Sequence, residues 1–414
     1  MDILNVLSGW LFLLFGLAIS IGLHELGHLL PAKKFGVKVT KYMIGFGPTL
    51  FSRKRGDTEY GIKAIPLGGY IQMVGMLPPA QAGGKINAWT NFTTRIRQED
   101  EIDPADDARA FYRLKPWQKL IIMFGGPFAN LLIALVLTLT LFCGFGAYER
   151  TNTVRDVVAC VPTEANPNCD QVGDPSPSSI AGLKAGDTIV SFDGKPVTRW
   201  SEVESIINKK VGQAIPLVIE RAGETLNLSI TPAELVIQGS SRGYLGLYLE
   251  TARFQQTPVQ AMANLGIMLA GTAEMIVQLP IQAVEAVTQI APGSPRDSQG
   301  AISIIGLGQF SGDLASSSEI SLEDKVLSQL SLLLSLNVAL FVFNMVPLVP
   351  LDGGHIAGAI YESLKRGIWR ARGKTLTKPV DTAQMMPVAY FVASLLILLT
   401  IILMLRDILN PMQF

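Results

Sequence analysis

The chain contains three histidines, and all of them fall in two short motifs within apolar sequence. His24-Glu25-Leu26-Gly27-His28 closes the first apolar run, and Leu351-Asp352-Gly353-Gly354-His355 closes a later one. On a helix, His-Glu-x-x-His sets two imidazoles on one face, where they can share a zinc ion. The glutamate between them can then act on a water molecule. Catalytic zinc takes three protein ligands and keeps a fourth position open. Residue chemistry offers two candidates for the third ligand, the imidazole of His355 and the carboxylate of Asp352. Pro347 and Pro350 break the helix ahead of them, and Gly353-Gly354 permits the tight turn that would aim either side chain inward.

Ionisable groups are costly inside a bilayer and mark functional sites there. The run from Ile3 to Ala32 is uncharged apart from the motif. As a helix it would measure about 45 Å, longer than the hydrocarbon core of about 30 Å. The motif therefore sits just inside the charged face marked by Lys33 and Lys34. These features imply hydrolysis of peptide bonds within the membrane. Non-helical backbone around Pro347–Pro350 at that depth implies a water-accessible pocket. A membrane metal transporter or sensor could use the same ligands. Transport needs ionisable groups at several depths, however, and here they cluster at one end of two helices. An inert scaffold would have no use for Glu25.

The elements that position these groups follow from composition. The chain has 414 residues, 49% hydrophobic and 16% charged, with a mean hydropathy of +0.34. This is a membrane protein's balance, with room for a soluble insert. The net charge of zero gives nucleic acid no purchase. The N-terminus lacks a basic region and a small-residue cleavage pattern, so the first run is expected to stay as a spanning helix. Four segments are long enough to span: Ile3–Ala32, Leu120–Tyr148, Val326–Leu351 and Met385–Leu405. Residues 254–290 form a fifth apolar stretch, interrupted by Glu274 and Pro280, and read as an amphipathic helix on the membrane surface. Four crossings bring Asp352 to the same membrane face as His24 and His28; a fifth would put it on the opposite face. Lys33–Lys119 holds 15 Lys/Arg and Lys365–Lys378 six, against 12 in the much longer Arg150–Lys325. The positive-inside rule then makes the metal-side face cytoplasmic, with both termini and the large insert outside.

Residues 39–74 read as strands and turns close after His28, a short membrane-associated sheet whose edge could pair with an extended peptide. Residues 81–115 are a polar cytoplasmic loop. Residues 156–232 read as a small α/β domain: a strand to Val190, an Asp193-Gly194 hairpin, a helix from Trp200 to Asn208, and strands Pro216–Glu220 and Leu226–Ile230. The pattern resembles a PDZ domain of the bacterial protease type. Cys143 lies in an apolar run, whereas Cys160 and Cys169 share a polar loop. In an extracytoplasmic insert that pair is expected to form a disulfide.

Together these motifs resemble the site-2 protease family of intramembrane zinc metalloproteases, and within it the single-PDZ actinobacterial members that cut membrane-anchored anti-sigma factors. The likeness rests on His24–His28, Gly45-Phe46-Gly47-Pro48, Pro66-Leu67-Gly68-Gly69-Tyr70, Gly126-Pro127-Phe128-Ala129-Asn130 and Asn337–His355. It covers nearly the whole chain. It implies a polytopic α-helical membrane protein with four spans, one Zn²⁺ held by His24, His28 and Asp352, and Glu25 as the catalytic glutamate. It also implies single-span membrane proteins as substrates. Asn344 and Pro347 match positions near the scissile segment, and Gly68, Gly69 and Tyr70 belong to the strands expected to hold it. Ala301–Gly308 lacks the family's usual Gly-Pro.

Overall fold

The computed structural model describes residues 3–78, 102–162, 173–197, 199–237, 240–290, 302–349, 351–373 and 385–410. Most of the expected polar loop, Pro350 and Cys169 lie outside these residues. The chain forms two compact units, Met1–Leu141 with Pro258–Phe414, and Phe142–Thr257.

The first unit opens with α1 (Ile3–Lys34), a single helix that carries the whole His motif and ends on Lys33 and Lys34. Gly36, at φ +81°, turns the chain into β1 (Val39–Arg55) and β2 (Thr58–Met73). Each long strand doubles back. Ile44 pairs with both Ile62 and Gly69, while Arg53 pairs with Tyr60. The result is four segments in the order 49–55, 58–63, 39–44, 69–73. Gly45, at φ +92°, makes the bend, and a Cβ there would strike the Ile65 carbonyl. Segment 69–73 is left at an edge, against α1. Tyr42 ties the sheet to α1 by donating to the Gly22 carbonyl at 2.7 Å.

Residues 109–112 are laced to this sheet: the Lys38 amide donates to Arg109, Phe111 to Val74, and Tyr112 to Gly75. Phe111 joins a core with Leu29, Val39, Met73, Ile122 and Met123. Then α2 (Pro116–Thr138) runs beside α1. It loosens into a π turn over Leu139–Phe145. The sequence reading carried this span to Tyr148, but a strand has already begun at Ala147. Apolar residues alone do not separate the end of a buried helix from the start of a strand.

The second unit contains β3 (Ala147–Val157), β4 (Thr188–Phe192), α3 (Trp200–Lys209), β5 (Ile215–Arg221), β6 (Glu224–Ile230), β7 (Ala233–Ile237), β8 (Ser240–Tyr244) and β9 (Leu247–Phe254). Its main sheet runs β9-β3-β4-β5-β6, with Lys195–Pro196 paired to β4; β7 and β8 form a separate hairpin. Asp193 and Gly194 both take positive φ, the left-handed turn that an Asp-Gly hairpin requires. The unit is wider than residues 156–232, because β3 and β9 add an edge pair from either side of that range. Phe192, Ile189, Ile215, Leu217, Ile219 and Ile230 make its core, each at most 1% exposed.

The first unit resumes with α4 (Pro258–Thr288), α5 (Ile304–Ser316), α6 (Leu322–Asn344), α7 (Asp352–Ala371) and α8 (Met386–Leu409). Among the described residues five helices are long and apolar enough to cross a membrane: α1, α2, α4, α6 and α8. The sequence reading counted four and took 254–290 for an amphipathic helix on the membrane surface; α4 is a continuous helix there, long and apolar enough to be a fifth candidate. Glu274 accepts a hydrogen bond from Gln278 one turn on, at 3.2 Å, and Pro280 removes one backbone bond without ending the helix. A second difference concerns the third expected span. It stops at Asn344, and Asp352 opens a new helix in place of ending the old one.

Candidate metal centre

Each ligand candidate is set by a different local device. On α1, one helical turn separates His24 from His28 and stacks their rings edge-on, with centroids 4.8 Å apart. Against them lies α2, at a crossing made of glycine. A Cβ on Gly27 would come within 2.2 Å of the Gly125 carbonyl oxygen, and one on Gly125 within 2.1 Å of the Gly27 oxygen. The backbones touch, and His28 Nε2 lies over Gly126 at 2.2 Å from where a Cβ would be.

Asp352 arrives by a turn. After α6, residues 345–349 run without a helix: Leu348 N–H donates to Val346, and Leu351 N–H to Leu348. Gly353 and Gly354 press on this loop, so a Cβ on either would meet its backbone at 2.2–2.4 Å. Asp352 is thereby delivered at the first turn of α7, and helix N-termini favour a carboxylate.

The three side chains converge. Asp352 Oδ2 stands 3.3 Å from His24 Nε2 and 3.3 Å from His28 Nε2, and the two Nε2 atoms are 3.2 Å apart. Donors at about 2.0–2.1 Å around a tetrahedral zinc stand about 3.3 Å from one another. The protonation pattern agrees. His28 Nδ1 lies 2.7 Å from the Ile122 carbonyl, which can only accept, so that nitrogen carries the proton. His24 Nδ1 lies 2.9 Å from Asn130 Oδ1. Both Nε2 atoms therefore present lone pairs, and they face a carboxylate oxygen that is buried without a hydrogen-bond partner. Three electron-rich atoms in so small a triangle repel unless a cation lies between them. The residues fit zinc, and they are the one such group of His, Cys, Asp or Glu among the described residues.

Outer contacts hold the first ones, as metal-ligating imidazoles require. Asn130 donates to Asn337 Oδ1 at 3.4 Å. Asn337 in turn donates to Ser20 Oγ at 3.0 Å and to the Leu333 carbonyl at 2.8 Å. Asn130, Asn337 and Ser20 are all buried, so this ladder links α1, α2 and α6 behind His24.

A family model, peptidase family M50, matches residues 12–388. The chain belongs to peptidase family M50. It is similar to the zinc metalloprotease Rip1 of Mycobacterium bovis, at 31% identity over 97% of each chain. It is also similar to that of Mycolicibacterium smegmatis, at 30% over 97% of each, and to the metalloprotease MmpA of Caulobacter vibrioides, at 28% over 87% of each. Family and site together make this M50 protein an intramembrane zinc metalloprotease with a single His-His-Asp metal centre.

The other expected residues divide. Glu25 is buried on α1 beside the ligands. Gly69 approaches so closely that a Cβ would lie 3.1 Å from Glu25 Cγ. Gly68 and Tyr70 sit beside Phe46, whose ring stacks on Tyr70. Asn344 turns back onto its own helix, donating to the Leu340 carbonyl at 3.0 Å. Pro347 lies in the loop beneath Gly353. His355 is outside the ligand triangle. It lines a small cavity with Phe111, Tyr112, Lys119 and Glu362. Sequence reasoning missed Ile122, which acts through its carbonyl and so carries no residue-type signal. Gly126 and Asn130 were visible only as parts of a family signpost.

Proposed function

We propose that this protein hydrolyses a peptide bond within or beside the transmembrane segment of single-span membrane proteins, with anti-sigma factors as the substrate class. The observation that carries the reading is the zinc-sized triangle of three lone-pair atoms, placed at the inner end of an apolar helix beside a buried glutamate. The likeness to single-PDZ actinobacterial site-2 proteases supports the substrate class.

His24, His28 and Asp352 would hold a zinc ion, which would supply Lewis-acid polarisation of the scissile carbonyl when bound. Glu25 takes a proton from the attacking water and hands it to the leaving amine. Gly69, on the strand edge, lies close beside its side chain. A helical substrate must unwind before its carbonyl can be reached. Segment 69–73 has a free edge next to Glu25 and can pair with the unwound backbone, with Gly68, Gly69 and Tyr70 flanking it. Asn344 and Pro347 are proposed to meet the same segment from the α6 side.

We read four crossings. Going down α1, α2 rises, from Gly125 at Gly27 to Asn130 at His24. In contrast α6 advances with α1, from Asn337 at Ser20 towards Asp352 at His28. The end of α2 and the start of α6 are thus on one face, and α4 lies between them. If α4 crossed, α5 would have to lead back, and its 13 residues reach only about 20 Å. A surface position for α4 suits these contacts, with the metal side cytoplasmic as the basic loops indicate. The insert is then extracytoplasmic, and we read it as PDZ-like. Its groove of about 660 Å³, lined by Arg150, Arg155, Arg242, Ile207 and Leu247, beside the open strand β9, suits an anionic peptide end. Cys160 is disulfide-bonded and Cys143 is free, which supports a Cys160–Cys169 bridge on that side.

The test is cleavage of a single-span substrate by purified protein in lipid. Glu25→Gln should abolish cleavage and keep zinc, and a chelator should abolish cleavage by the wild type. Full activity in Glu25→Gln would end the proposal; loss of zinc in it would move Glu25 from the water to the metal.

A further inference from the structure

The mechanism leaves a buried ion pair unused. Lys119 Nζ lies 2.8 Å from Glu362 Oε2, with the two side chains only 8% and 2% exposed. The other carboxylate oxygen accepts from Arg366, one turn further along α7, at 2.5 Å. Taking such charges out of solvent is expensive, and a buried pair seldom adds net stability over an apolar one. What it does provide is a defined geometry, since neither charge tolerates being left alone.

Its location gives that geometry a use. Lys119, Ile122, Gly126 and Asn130 recur at steps of three and four along α2, so they share a face. Ile122 and Gly126 seat His28, and Asn130 holds His24. Lys119 is the same face's contact with α7. On α7, Asp352 is the first helical residue and Glu362 lies ten residues on, about 15 Å along the axis. Asp352 has no helix before it to fix its direction, only the loop 345–349. The seat of α7 therefore needs a second anchor. Ala359, on the face of α7 that also carries His355 and Glu362, is 3% exposed.

We propose that Lys119 and Glu362 are positioning residues for the metal centre. Their buried bridge fixes how α7 sits on α2, the helix that already orients both imidazoles, and so sets Asp352 at ligating distance. Asp352 Oδ2 then completes the triangle on one ruler, α2, although it comes from the far end of the chain. The proposal rests on the zinc reading of His24, His28 and Asp352.

The experiment uses the full-length protein in nanodiscs. Zinc affinity is measured by chelator competition, and ligand geometry by the visible absorption of the cobalt-substituted form. The variants are Glu362→Gln, Lys119→Met, Asp352→Asn and the double variant Glu362→Gln/Asp352→Asn. Glu362→Gln and Lys119→Met should each weaken zinc by about 10–100-fold, the range for residues behind metal ligands, and shift the cobalt bands. In the Asp352→Asn background Glu362→Gln should weaken zinc no further, because the bridge acts only through Asp352. Thermal unfolding of the zinc-free protein is followed alongside. If Glu362→Gln and Lys119→Met lower the melting temperature yet bind zinc like wild type, the proposal fails. Equal losses with and without Asp352 would also overturn it. If the wild type itself bound no zinc, the metal reading would fall first, and the bridge with it.

Discussion

The insert and the metal-bearing unit are held together by different physics. In the insert, position comes from bulk: Phe192, Ile189, Ile215, Leu217, Ile219 and Ile230 fill one core, and α3 adds Trp200, Val203 and Ile207. Water makes that burial favourable, at about 25 cal/mol per Å². Around the metal site an apolar core with Leu29, Phe111, Ile122 and Met123 is joined by other devices. Gly27 meets Gly125 backbone to backbone, and Ser20, Asn130, Asn337, Lys119 and Glu362 are buried polar groups with named partners. Lipid tails are as apolar as leucine, so a helix gains little by trading lipid for an apolar neighbour. Close approach and hydrogen bonds must do the positioning there. A missing methyl should therefore matter most in the insert, and an added one most at the metal.

The sharpest way to break this comparison is Gly126→Ala. Its methyl would fall 2.2 Å from His28 Nε2, so zinc and cleavage should both be lost. Metal analysis showing a full complement of zinc would show that the crossing can relax. Next comes the third ligand. Asp352→Asn should weaken zinc far more than His355→Ala, because His355 faces Lys119 and Glu362 across a small cavity and not the triangle. The reverse order in chelator competition would remove Asp352 from the site.

In the insert the reverse substitution is the informative one. Phe192→Ala should cost about 3–5 kcal/mol, seen in limited proteolysis of the whole protein as early cutting within 142–257, while zinc affinity holds. Smallest is a pH effect. Burial on its own would raise the Asp187 carboxyl, but the paired bonds from Arg221 at 2.7 and 2.8 Å and the Lys184 amide outweigh it and hold the pKa below the usual carboxylate range. A depressed folded pKa contributes stability that is whole above the unfolded value. The contribution is lost as pH falls through the folded one. The insert should thus lose stability as pH drops below about 4, the ordinary carboxyl value. Asp187→Asn should flatten that dependence in a melting series, and an unchanged slope would discard the pair as its source.

The same contrast explains what could be read from the residues alone. His24 and His28 stood out because charge in an apolar run has no cheap use, Asp352 was preferred to His355 only through the family likeness, and the insert's first hairpin followed from Asp193-Gly194. Ile122 was invisible because a carbonyl looks the same at any position, and Gly126 and Asn130 were marked by the family likeness alone. The helix break ahead of Asp352 was legible in Pro347 and Pro350, and α6 ends at Asn344. Whether 254–290 lies on the membrane or crosses it was not, because length and composition fit both for a helix such as α4.

The order of the ligands along the chain has a further consequence. Synthesis proceeds from the N-terminus, so His24 and His28 are made early and Asp352 only after α6. Until α7 is in place, a nascent chain offers two imidazoles and no third ligand. The glycine-tight crossing of α1 and α2 can form first, yet it holds an unfinished pair. The metal site is thus complete only once α7, which carries Asp352, has been made.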